Sequence, residues 1–257
     1  MCVCACRDLE TGKEINKLNT PTAVRVVNFS YSGKMIFYTT DQAMRFPASL
    51  HVIDLNSASN FMPDDSGVIS IEEFDHNNKP TAGLWGPLDE SIITGHETGM
   101  VSKWDFRNPK EKLLEVQKHK GAINDLQYSQ DQTMFITASK DSSSKLFDTE
   151  TFDYLKTYQT DRPVNSAAIS PIRDHVVLGG GQEAMEVTTT STRAGKFEAR
   201  FYHMIFEEEF GRVKGHFGPI NSLAFHPNGL SYASGGEDGY VRVHQFDPNY
   251  LDFQFEN

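Results

Sequence analysis

Two sets of residues in this chain have the composition of an acyl-transfer triad: His119 with Ser139 and Asp141, and His216 with Ser234 and Asp238. Held in line, a carboxylate would orient the imidazole, the imidazole would take the serine proton, and the serine oxygen would attack a carbonyl carbon. A catalytic constellation is needed once per active site, however, and this one recurs along the chain. Neither serine lies in the G-x-S-x-G turn that exposes such a nucleophile. A buried polar network whose members satisfy one another explains the recurrence, because it specifies packing wherever it is repeated. No catalytic residue is assigned, and the chain is read as no enzyme.

Other chemistry is equally poorly supported. Cys2, Cys4 and Cys6 are the three cysteines. A zinc site would need a further Cys or His pair at defined spacing, and none follows nearby. Their alternation instead places them on one face of a strand, and so few cysteines predict a reduced, intracellular protein. Gly179-Gly180-Gly181 lacks the Gly-Lys-Ser/Thr ending of a phosphate cradle and reads as a tight hairpin. No metal or cofactor is expected. A formal net charge of -11 repels phosphate backbones. Weak direct RNA contact would fall to the one basic cluster, Arg193, Lys196 and Arg200. No run approaches the roughly 18 apolar residues that span a bilayer, so no membrane partner is expected.

The elements that must position these residues repeat. Five segments align without gaps, at 24–42, 80–98, 123–141, 164–182 and 220–238. Each reads as two short strands around a turn, marked by Ser32-Gly33, Gly86-Pro87, Ser170-Pro171 and Pro227-Asn228-Gly229. A third strand follows, as in 100–105, 143–148 and 240–247, and 153–160 supplies a fourth. Four strands per period of about 40 to 45 residues is the arithmetic of a propeller blade.

Trp104-Asp105 ends one third strand and Phe147-Asp148 stands in the same place one repeat later. Lys118-His119 and Gly215-His216 precede first strands, and Asp141 and Asp238 close second strands. In these positions the chain resembles the WD-repeat family. The resemblance implies an all-β WD-repeat β-propeller with five complete blade motifs plus a fragment of a preceding blade, residues 1–257 forming a single domain. It also implies a buried network of the repeat's His, Ser or Thr, Asp and Trp, joining His119, Ser139 and Asp141, and separately His216, Ser234 and Asp238, with Trp104 as an indole member. Phe147 and His244 occupy the Trp position elsewhere and cannot complete the indole bond.

Residues 161–248 carry features beyond the general repeat: Gly179-Gly180-Gly181-Gln182-Glu183-Ala184, Thr188-Thr189-Thr190, Gly195 to Phe201, and Gly211 to Pro219. This block resembles subunit I of eukaryotic translation initiation factor 3. Propellers of that family have seven blades, so the resemblance implies a start about one and three-quarter blades late, with residues 7–12 ending a third strand. The tail 250–256 alternates as a strand that would cover the incomplete last blade. The function implied is a non-catalytic cytoplasmic scaffold supporting preinitiation-complex assembly and the recruitment of mRNA and initiator tRNA. Its implied partners are subunit b, through a C-terminal helix, subunit g, and the small ribosomal subunit through the complex. The helix would lie on blades spanning roughly 113–200, against Asp141, Asp161 and Arg162, with Tyr154 and Tyr158 as aromatic anchors. Glu207-Glu208-Glu209 reads as a solvated face. A scaffold or substrate receptor of another assembly would share the repeats but not the 161–248 block.

Overall fold

Alternating apolar residues separated by turn formers give strands in antiparallel meanders, because consecutive strands joined by short turns can pair only with their chain neighbours. The computed structural model describes residues 2–43, 46–56, 68–75, 77–108, 112–181 and 197–252. Every sheet in it follows chain order. The chain divides into two compact units, Met1–Ile123 and Asn124–Asn257.

In the first unit, β1 (Cys2–Arg7) pairs with β2 (Glu14–Thr20). A four-stranded sheet follows, of β3 (Val24–Phe29), β4 (Met35–Thr40), β5 (Ala48–Asp54) and β6 (Val68–Phe74). The next contains β7 (Pro80–Trp85), β8 (Ile92–His96), β9 (Met100–Trp104) and β10 (Lys112–Gln117). A core of Phe37, Leu50, Val52, Trp85, Ile92 and Trp104 joins these two sheets. Asn28 Nδ2 donates to the Gly83 carbonyl at 2.8 Å and Trp85 Nε1 donates back to the Asn28 carbonyl at 3.0 Å. First strand is thereby fastened to first strand.

In the second unit, β11 (Ile123–Tyr128), β12 (Met134–Ser139), β13 (Ser143–Asp148) and β14 (Tyr154–Gln159) form one sheet. Another contains β15 (Val164–Ile169), β16 (His175–Gly180), β17 (Glu198–His203) and β18 (Glu209–Lys214). The last has three strands, β19 (Ile220–Phe225), β20 (Ser231–Gly236) and β21 (Val241–Gln245). Each of the five aligned segments thus supplies the first two strands of a sheet.

Polar side chains tie the first strands of this unit across three sheets. Ser166 Oγ donates to Asp125 Oδ2 at 2.5 Å and accepts the Leu223 N–H at 3.0 Å. Gln127 Nε2 donates to Asp125 Oδ2 at 2.9 Å and to the Leu223 carbonyl at 2.7 Å. Asn165 Nδ2 reaches Asn221 Oδ1 at 2.9 Å. Burial pushes the Asp125 carboxyl above its usual range, while the bonds from Ser166 and Gln127 act against that rise.

Two expectations give way here. Gly179 and Gly180 end β16 and do not form a tight hairpin, since β17 starts only at Glu198. A side chain at Gly179 would run into Ile220 and Leu223, so glycine there lets the neighbouring sheet approach. The tail is not a strand at its start. Pro248–Asp252 forms a short helix, α1, because Asp247 Oδ1 caps the Tyr250 N–H at 2.8 Å and Pro248 stands at the first helical position. Tyr250 then stacks on Phe246 with centroids 4.0 Å apart. Residues 253–256 lie outside the described residues.

Ser166→Ala removes one partner from a buried carboxylate and one from a buried N–H. Urea unfolding is expected to show a loss of about 1–3 kcal/mol with an unchanged denaturant slope.

Candidate functional site: the repeat network and the expected docking residues

The residues resembling a triad sit at the ends of the second strands, where the loop before a first strand crosses the following turn. In the last sheet His216 Nε2 lies 2.8 Å from Ser234 Oγ and His216 Nδ1 lies 3.1 Å from Asp238 Oδ1. These are triad distances, but the surroundings are not those of a nucleophile. Ser234 is 2% exposed in the middle of β20. An acyl carbon cannot reach its oxygen. Asp238 also accepts the Phe217 N–H at 3.0 Å, the Tyr240 N–H at 3.2 Å and Arg242 Nη1 at 2.8 Å. Burial alone would raise the Asp238 carboxyl, yet these donors together with His216 hold it well below the usual carboxylate range. The arrangement locks loop, turn and strand together. His244, at the Trp position, stacks on Tyr232 with centroids 4.8 Å apart instead of donating an indole bond.

In the sheet of β11 to β14, the residue in register with Ser234 is Thr137 and not Ser139. Thr137 pairs with Lys145 as Ser234 pairs with Arg242. Ser139 lies two residues further along β12, at the place of Gly236, and its Oγ accepts the Asp141 N–H at 3.2 Å. Asp141 Oδ1 accepts the Ser143 N–H at 3.0 Å and the Ser143 hydroxyl at 2.6 Å, closing the turn. His119 is buried, and its N–H donates to the Gly99 carbonyl. Phe147 fills the Trp position by stacking on Phe135 at 5.3 Å.

Trp104 is the indole member of a chain of bonds that sequence reading did not complete. Trp104 Nε1 donates to Thr94 Oγ1 at 2.8 Å, Thr94 Oγ1 lies 2.9 Å from His96 Nε2, and His96 Nδ1 lies 3.1 Å from the Asn78 carbonyl. The carbonyl requires the proton on Nδ1, so Nε2 accepts from the threonine. All three side chains are fully buried. The legible signal was positional: Thr94 stands where Ser234 stands, and His96 where Ser139 does.

The residues expected to face a partner separate into surface and core. Tyr154 is 45% exposed, with Lys145 Nζ 5.3 Å from its ring. Tyr158 is fully buried and donates to the Met204 carbonyl at 2.8 Å, so it packs the interior and is no surface anchor. Burial pushes its phenol well above the usual range. Asp161 is exposed but ion-paired with Arg200. Arg162 is half-buried, and its carbonyl accepts the Thr160 hydroxyl. Arg200 is 8% exposed and sits between Asp161 and Glu209, which removes it from any RNA-binding cluster. Arg193 and Lys196, with the Gln182 to Gly195 part of the distinctive block, lie outside the described residues. Glu209 is not solvated as expected: it turns inward to Arg200 and Arg212.

Among the described residues no cluster of His, Cys, Asp or Glu has the makeup of a metal site, and no helix is long and apolar enough to cross a membrane. Cys6 is half-buried beside Leu18, Tyr38 and Ile53.

Comparison with solved structures places this architecture. The crystal structure of the Myceliophteria_thermophila Cps50 (Swd1) beta-propeller domain is similar with a TM-score of 0.74, covering 95% of this chain and 77% of that one at 13% identity. The sheets and their recurring polar residues define an all-β WD-repeat propeller. At the level of sequence, the EIF3I family model matches residues 2–256. Eukaryotic translation initiation factor 3 subunit I from Bombyx mori is 59% identical over 98% of this chain and 76% of its own length. The Nematostella vectensis protein of the same name is 57% identical over 97% and 75%, and that of Mus musculus 54% over 98% and 77%. The chain belongs to the eukaryotic translation initiation factor 3 subunit I family.

Burial draws the pKa values of His51, His96 and His175 down to about 4. Each is neutral in the folded state and takes up a proton near its ordinary pKa of about 6.5 when unfolded. Their contribution to stability is therefore complete above pH ~6.5 and lost as pH falls toward ~4. Unfolding midpoints measured across that window are expected to drop, and a His96→Gln variant, less stable at neutral pH, is expected to show a shallower drop. Thr94→Val is expected to cost about 1–3 kcal/mol, since it strands the Trp104 N–H and the His96 nitrogen together.

Proposed function

We propose that this chain is a non-catalytic scaffold subunit of the cytoplasmic initiation factor 3 assembly, with residues 1–257 acting as one propeller domain. It supports preinitiation-complex assembly and the recruitment of mRNA and initiator tRNA to the small ribosomal subunit by docking other subunits. The observation that carries this reading is the 59% identity to a subunit I sustained over 98% of the chain. The buried state of Ser234 supports it too, because the triad-like geometry of His216, Ser234 and Asp238 is enclosed.

Subunits b and g are the direct partners. The C-terminal helix of subunit b lies against the loops carrying Asp141, Asp161 and Arg162, with Tyr154 as the aromatic anchor. Asp161 serves two purposes: it presents charge outward and it partners Arg200. Reversing its charge would disturb the fold as well as the contact, so Tyr154 is the cleaner probe.

Tagged protein purified from cells is expected to carry initiation factor subunits and small-subunit ribosomal proteins, identified by mass spectrometry. Recovery of ubiquitin-ligase components in their place would establish a substrate receptor. Tyr154→Ala is expected to weaken binding of the purified subunit b helix about tenfold with an unchanged melting temperature, and calorimetry showing equal affinity would take Tyr154 out of the interface.

A further inference from the structure

Three turns of the second unit frame an open groove of about 820 Å³: the one before Met134, the one from Ser170 to Asp174, and the one after His203. Met134, Ile169 and Met204 line it together with the buried Ser129, Ser170 and His175. Three large apolar side chains stand at its rim about half exposed, Ile172 at 48%, Ile205 at 50% and Phe206 at 48%. Isolated exposed apolar residues need no explanation, but three around one groove mark a contact surface.

Ser170 adds an independent observation. Serine occupies the same turn position in three of the repeats, at Ser30, Ser129 and Ser170. Ser30 Oγ accepts the Met35 N–H at 3.1 Å, and Ser129 Oγ accepts the Met134 N–H at 3.1 Å and donates to Asp131. In those two repeats the hydroxyl closes its own turn. Ser170 is 5% exposed and lines the groove, and its Oγ has no hydrogen-bond partner. A buried hydroxyl without a partner is costly, and a ligand atom reaching it from the groove would remove that cost.

Charge decides what kind of ligand. Asp131 and Asp174 line the groove with Arg173, and Glu207 and Glu208 follow Phe206 directly. Lys156 pairs with Glu207 at 3.1 Å. Four carboxylates thus stand against two cations, on a chain whose net charge is -11. Carboxylates in excess beside the exposed Ile172, Ile205 and Phe206 favour a basic segment with an apolar side chain and repel an acidic one.

We propose that this groove is a second docking site, taking a short basic segment of a partner protein that inserts one bulky apolar side chain between Ile172, Ile205 and Phe206 and bonds to Ser170 Oγ. It uses the turns at Met134, Ser170 and His203 in place of the loops at Asp141 and Asp161.

The test uses the full chain with isotope-labelled isoleucine methyl groups, titrated with a short amphipathic peptide of Lys, Arg, Leu and Phe and with its Glu- and Asp-containing counterpart. The Ile172 and Ile205 methyl signals are expected to move saturably with the basic peptide only, while those of Ile92 and Ile93, buried in the first unit, stay in place. Phe206→Lys, at an exposed turn, is expected to weaken binding about tenfold with no change in melting temperature. Ser170→Ala is expected to weaken binding several-fold while leaving melting temperature equal or higher, a combination a purely structural serine would not give. Equal binding of the acidic peptide, unmoved groove methyls, or shifts that follow protein concentration without peptide would overturn the proposal, the last by showing a second copy in the groove.

Discussion

Everything in this structure depends on first strands being bonded to first strands. The sheets carry their own ladders, but a ladder says nothing about how one sheet sits on the next. That register is set by a few polar side chains, Ser166 among them fully buried: Asn28 on Gly83, with Trp85 returning to Asn28, in the first unit, and Asp125, Gln127, Ser166 and Asn165 across three sheets in the second. Apolar packing supplies most of the stabilisation and is tolerant of sliding. Hydrogen bonds are not, and a misplaced sheet would leave Asp125 and the Leu223 backbone unpaired in the interior. Glycines at 83 and 179 keep Phe37 and the pair Ile220 and Leu223 close enough for those bonds to form.

The repeat network has the same logic at the other end of the second strands. A histidine, a hydroxyl and an acid form a catalytic set only when the hydroxyl oxygen is open to substrate, and here Ser234 and Thr94 are enclosed. Two of the networks fasten a loop to a strand, Trp104, Thr94 and His96 through an indole and His216 and Asp238 with Arg242, whereas Phe147 stacks on Phe135 of the neighbouring strand. Loops fastened in this way lose little entropy when a partner binds, which suits the docking role proposed above.

Strand positions were legible because turn residues and apolar alternation recur at a fixed place in five segments, and the structure begins and ends the first two strands of the five sheets from β3 onward within them. Less legible was anything set by tertiary register. Ser139 and Thr137 both precede Asp141 by short steps, and only strand pairing shows which faces the network. Tyr154 and Tyr158 look alike in sequence, yet a bulge between Leu146 and Phe147 shifts the pairing, leaving Tyr154 exposed and Tyr158 buried. Arg200 read as a basic surface residue because its partners Asp161 and Glu209 come from other strands or loops. The tail alternates like a strand, but Asp247 and Pro248 provide a helix start that local pattern alone did not weigh. The groove around Ser170 has no sequence signature, being made of three turns that the fold brings together.

Hydrogen exchange measured on the chain alone and within a reconstituted initiation factor 3 assembly tests the central claim most directly. The amides of Ile123–Tyr128 and Val164–Ile169 are predicted to exchange slowly in both states, with new protection in the assembly confined to loops, including those bearing Asp141 and Asp161, and to the start of β14 at Tyr154. Rapid exchange in the first strands of the isolated chain, or an assembly that leaves every loop unprotected, would contradict the account of fastened first strands and loops that are bound.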